Sequence, residues 1–79
     1  MGKAEKLKAK LLHGSTFRWA ELVTLLDHMG YTKYEGSGSR VKFTKNGVVI
    51  SLHRPHPSSK LKRYTVRNII DHLRKEGEL

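Results

Sequence analysis

The 79 residues predict an α+β fold in α-β-β-β-α order, a three-stranded antiparallel sheet with helices on one face and a short extra segment at the N-terminus. Three observations carry that expectation. Two segments place apolar residues at i, i+3, i+4 and i+7: Leu22, Leu25, Leu26 and Met29 in one, Val66, Ile69, Ile70 and Leu73 in the other. Between them the period changes to alternation, which a half-buried strand requires. Asn46-Gly47 interrupts the most regular alternation, and this pair suits a type I′ hairpin turn because both central positions need positive φ. A chain this short builds one domain around one modest core, burying roughly 60% of its unfolded surface.

The elements follow in order. Residues 3–12 are good helix formers with Leu7, Leu11 and Leu12 on one side, and Gly14 interrupts them. Residues 1–14 are therefore expected to form a basic arm or short helix, ahead of a single domain over 15–79. Ser15 and Thr16 are natural N-caps for a helix over 17–29, and Gly30 stands where a left-handed residue ends it. Residues 31–35 alternate aromatic and polar side chains, placing Tyr31 and Tyr34 on opposite faces of a first strand, one buried and one available. Phe17 and Trp19 are expected to border the core. Gly36-Ser37-Gly38-Ser39 is a turn, after which Arg40 to Lys45 and Val48 to His53 form the hairpin. Pro55 and Pro57 punctuate a loop over 54–62, each disfavouring helix at the preceding residue. A last helix spans 63–76, with Gly77 as its stop.

The two-residue turn fixes a register: Lys45 opposite Val48, Phe43 opposite Ile50, Val41 opposite Leu52. Those last two pairs are apolar and share one face. The other face then holds Thr44 with Val49, Lys42 with Ser51, and Arg40 with His53 as direct neighbours.

Charge is concentrated on the same stretch. The formal net charge is +9, yet residues 36–70 alone carry eight Lys and Arg and no acid. An acid-free basic block is the electrostatic footprint of a polyanion binder. Cysteine is absent, which excludes disulfides, zinc knuckles and thiol nucleophiles. No run of residues matches a signal peptide or a membrane span, so a cytoplasmic protein is expected.

From about Phe17 to Gly77 the sequence resembles the HicA family of bacterial toxins, small ribonucleases encoded beside a HicB antitoxin. The resemblance rests on the helix ending in Met29-Gly30-Tyr31, the Gly36-Ser37-Gly38-Ser39 turn, the hairpin, Arg54-Pro55-His56-Pro57, and Lys60-Leu61-Lys62 before the final helix. It implies a double-stranded-RNA-binding-like fold, metal-independent cleavage of mRNA, no cofactor, and neutralisation by a HicB-like antitoxin protein. One position departs from the pattern. The family's catalytic histidine usually follows the Gly-x-Gly-Ser turn, and here Arg40 stands there. His53, opposite Arg40 in the register, is expected to supply the imidazole instead.

The residue chemistry accommodates that expectation. RNA cleavage without a metal needs the 2′-hydroxyl deprotonated, the 5′-oxygen protonated and the phosphorane charge stabilised. Histidine suits proton transfer near neutral pH, which nominates His53 and, on the following loop, His56. Arginine offers a planar, permanently charged fork for phosphate oxygens, which nominates Arg40. Lys42, Lys45, Arg54, Lys60, Lys62, Arg63 and Arg67 are the candidate RNA contacts, those near the last helix aided by its N-terminal amides. The basic block holds no carboxylate cluster for a metal-dependent nuclease. Two other readings stay open: a non-catalytic RNA-binding module of the same fold, and a structural or ribosome-associated basic protein.

Overall fold

The computed structural model describes residues 2–14, 16–56 and 58–79. In chain order the elements are α1 (Lys3–His13), α2 (Trp19–His28), β1 (Thr32–Glu35), β2 (Arg40–Lys45), β3 (Val48–His53) and α3 (Arg63–Lys75). The strands form one antiparallel sheet in the order β1-β2-β3. This is the expected α+β arrangement.

One core holds it together. Leu22, Leu25 and Leu26 of α2 and Ile69 and Leu73 of α3 are buried against Val41, Phe43 and Ile50 of the hairpin. Burial of each such side chain contributes about 1.5–3 kcal/mol. Helix α1 joins the same cluster through Leu7 and Leu11, both buried, while Leu12 on its flank remains 46% exposed.

Helix α2 begins at Trp19 rather than at residue 17, a correction to the sequence expectation. Phe17 and Arg18 stay extended because they pair with the loop before α3: the Trp19 N–H donates to the Ser59 carbonyl at 2.8 Å, and the Leu61 N–H to the Phe17 carbonyl at 2.9 Å. The pairing also seats Phe17 in the core. Arg18 becomes the N-cap, and its N–H donates to the Glu21 carboxylate at 3.0 Å, half of a capping box. Thr16 lies ahead of that cap, and the other expected cap, Ser15, lies outside the described residues, as does Pro57 of the loop.

Both remaining helix stops fall where expected. Gly30 takes φ +93°, with its N–H donating to the Asp27 carbonyl and the Tyr31 N–H to the Leu26 carbonyl. Gly77 repeats the pattern, its N–H donating to Arg74 and the Glu78 N–H to Leu73. Each is a Schellman motif, which satisfies carbonyls the helix leaves unpaired. Because the first consumes the Tyr31 N–H, β1 starts at Thr32 rather than at residue 31. Asn46 (φ 49°) and Gly47 (φ 82°) make the left-handed pair of the hairpin turn, and the register it imposes is the expected one, Arg40 opposite His53.

Candidate active site on the basic sheet face

Paired residues of antiparallel strands share a face, so the register sorts the sheet completely. The side away from the core carries three rows: Thr32, Thr44 and Val49; then Tyr34, Lys42 and Ser51; then Arg40 and His53. Arg40, Lys42 and His53 are exposed, and Tyr34 is 57% exposed beside Lys42. Its partner in the alternation, Tyr31, is buried, and burial with Glu78 nearby pushes its phenol up.

The Gly-Ser turn docks onto the end of β3. The Gly36 N–H donates to the Arg40 carbonyl at 2.8 Å, and the Arg54 N–H donates to the Ser39 carbonyl at 2.7 Å. The last bond fixes Ser39 next to His53, with its Oγ 3.4 Å from Nδ1. Ser39 thereby becomes a residue that can hold the imidazole, and only the docked turn reveals it.

A recess of about 520 Å³ opens at this point. His53 and His56 both line it, with Ser39, Lys60 and Lys62. The two candidate proton carriers thus share one concavity, although His56 belongs to the loop and His53 to the sheet. Arg40 stands directly across the strand pair from His53.

The other basic residues divide. Arg54 also lines the recess with His53 and His56, but it is ion-paired with Glu35 and lies over the Trp19 ring at 5.9 Å. Its guanidinium holds the Glu35 carboxyl below the usual range. Lys45 is ion-paired with Glu78 and sits 5.6 Å over the Tyr31 ring. Both cations are therefore engaged within the fold. Lys60, Arg63 and Arg67 rim a separate groove of about 480 Å³ whose walls include Leu11, Leu12 and Phe17. Among the described residues no ion pair involves Arg40, Lys42, Lys60, Lys62, Arg63 or Arg67.

Sequence patterning missed the contribution of α3 to the site. Tyr64 is 63% exposed and lines the recess with His53. One aromatic in the first turn of a helix carries no periodic signal, and only the packing of α3 beside β3 gives it a role. Among the described residues, no group of three or more His, Cys, Asp or Glu gathers as a metal site would. No helix among them is long and apolar enough to cross a membrane.

The fold and this face define a small basic α+β module with an exposed cationic sheet surface and histidines at its rim. Residues 19–75 match the family described as the HicA toxin of bacterial toxin–antitoxin systems, and the chain belongs to that family. It is therefore a toxin component of such a system. No curated protein and no solved structure matches the chain. The matched span begins at the first residue of α2, so α1 lies outside it.

Proposed function

We propose that this toxin is an endoribonuclease that cuts mRNA without a metal ion or other cofactor, in the cytoplasm, and that a HicB-like antitoxin restrains it. The observation that carries the reading is the cluster at the end of the hairpin: His53 directly opposite Arg40, with the Ser39 hydroxyl 3.4 Å from Nδ1. In this reading the Nδ1–H donates to the Ser39 oxygen, which leaves Nε2 as the free acceptor. Nε2 takes the proton of the ribose 2′-hydroxyl, and the 2′-oxygen attacks the adjacent phosphorus. The bond to the 5′-oxygen breaks, and that oxygen takes a proton from the His56 imidazolium. The products are a 2′,3′-cyclic phosphate and a 5′-hydroxyl end. Arg40 and Lys42 face the phosphate and stabilise the charge that develops on the phosphorane. Lys60, Lys62, Arg63 and Arg67 hold flanking phosphates and set the strand's path without reading its sequence. Arg54 and Lys45, already ion-paired, add to the positive field rather than to direct contacts.

The test is incubation of the purified chain with a defined mRNA in EDTA, followed by analysis of the ends. Cyclic-phosphate termini that disappear when the co-encoded antitoxin is added support the reading. Intact RNA that nonetheless binds tightly overturns it in favour of a non-catalytic RNA-binding module, in which Arg40 marks a lost active site.

A further inference from the structure

Next to the cationic recess lies a second one of a different character. It has a volume of about 330 Å³ and runs between β3, at the edge of the sheet, and helix α3. Its floor is apolar, formed by Ile50, Leu52 and Ile69, and no Lys or Arg lines it. Tyr64, Asn68 and His72 project into it from α3 at spacing i, i+4 and i+8, a single stripe of that helix. Elsewhere on the His72 ring, the Nε2 atom is closed off from solvent and has no hydrogen-bond partner among the described residues.

His53 and Tyr64 line both recesses and form the boundary between them. One side of that boundary offers Lys60, Lys62 and His56; the other offers an apolar floor with an amide and an imidazole. A nucleotide has the same division, with an anionic phosphate joined to a flat, weakly polar base that carries hydrogen-bonding edges. We infer that the neutral recess binds the nucleobase adjacent to the scissile phosphate, with Asn68 reading its edge and Tyr64 stacking on its face, an assignment that rests on the ribonuclease reading above.

The chemistry of each residue matches that task. The Asn68 amide presents a donor and an acceptor side by side, the pattern that pairs with a base edge. An exposed tyrosine beside a phosphate track is a stacking platform. Because His53 stands at the boundary, a base seated here brings its phosphate to the proposed catalytic imidazole. Base recognition is thereby coupled to the position of the cut.

The experiment is an NMR titration of the full chain with 3′-AMP, 3′-GMP, 3′-CMP and 3′-UMP, and with ribose 5-phosphate as the base-free control. The expected result is saturable shifts of the Asn68 side-chain amide and the His72 ring with at least one nucleotide, at least tenfold tighter than the control. Asn68→Ala is expected to remove the difference between bases while the rest of the spectrum stays native. If all four nucleotides perturb only the Lys60, Lys62 and His56 side, as ribose phosphate does, the assignment is overturned. Mapping the cleavage sites of the wild-type and Asn68→Ala chains on a randomised RNA separates the two readings. Base-specific shifts without any cleavage would sink the ribonuclease reading and leave the recess assigned. Cleavage at an unchanged set of sites by Asn68→Ala, with no base-dependent shifts, would do the reverse.

Discussion

Replacing Leu11 by alanine should destabilise this protein far more than the same change one residue later. Leu11 is 1% exposed and packs in the common core, whereas Leu12 is 46% exposed on the flank of α1. Truncating a buried leucine costs about 2–5 kcal/mol, the lost transfer energy plus the cavity left behind. A domain of this size has a total stability of about 4–12 kcal/mol at the usual ~0.05–0.15 kcal/mol per residue. Leu11→Ala should therefore remove about a sixth of it or more, and lower Tm by roughly 8 °C or more, since ~1 kcal/mol shifts a small domain by about 4–8 °C. For Leu12→Ala, which loses only partial burial, the expected cost is less than about 1 kcal/mol. Urea unfolding followed by circular dichroism measures both, and an unchanged m value shows that the comparison concerns native stability. The result bears on how the chain is organised. If Leu11→Ala proved no worse than Leu12→Ala, α1 would be an appended arm and its packing with α2 and α3 would carry no stability.

Four further outcomes are expected. His53→Ala should lower the RNA cleavage rate by about 10²–10⁴-fold, the usual worth of a general acid–base group, with no loss of Tm because the side chain is exposed; single-turnover cleavage with a thermal melt reads both. Arg40→Ala should lower the rate by roughly 10²–10³-fold, and Arg40→Lys should recover only part of it, because an ammonium keeps the charge but not the fork. Lys42→Gln should reduce the slope of log affinity for RNA against log salt by about 1, and an unchanged slope would remove Lys42 from the phosphate track. Glu21 gives a pH signature: its hydrogen bond from Lys10, 2.5 Å long, holds the carboxyl below its ordinary 4.5. A depressed carboxyl contributes stability above its unfolded pKa and loses it as pH falls through the folded one. Lys10 is partly exposed, so the contribution is at most about 1 kcal/mol. Denaturation of wild type and Glu21→Gln should accordingly differ at pH 7 and converge as pH drops below 4.5.

The hairpin shows how far local rules reach. Asn46-Gly47 admits one tight turn, the turn admits one register, and alternation then assigns Val41 and Phe43 inward and Arg40 and Lys42 outward. Each step depends on neighbours in the chain, which is why Arg40 opposite His53 is legible in the sequence. The stops at Gly30 and Gly77 are local in the same sense, since only a residue tolerant of positive φ completes those caps. The start of α2 was not legible. Ser15 and Thr16 carry good capping chemistry, but the pairing of Phe17 and Arg18 with Ser59 and Leu61, some forty residues on, outweighs a single cap. Nor could charge counting distinguish Arg40 and Lys42, with no ion pair among the described residues, from Arg54 and Lys45, whose partners Glu35 and Glu78 lie outside the acid-free block.

The sequence by itself determined the order of elements, the sheet register and the gathering of positive charge along residues 36–70. Helical and strand periods, turn chemistry and composition are properties of short windows, so they survive without knowledge of the fold. Tertiary structure decided what that charge is next to. It paired Arg54 with Glu35 over the Trp19 ring, docked Ser39 against His53, and laid α3 beside β3 so that a cationic recess and a neutral one meet at a histidine. Those contacts join residues distant in the chain, and their geometry follows from how the core packs, which no local pattern encodes.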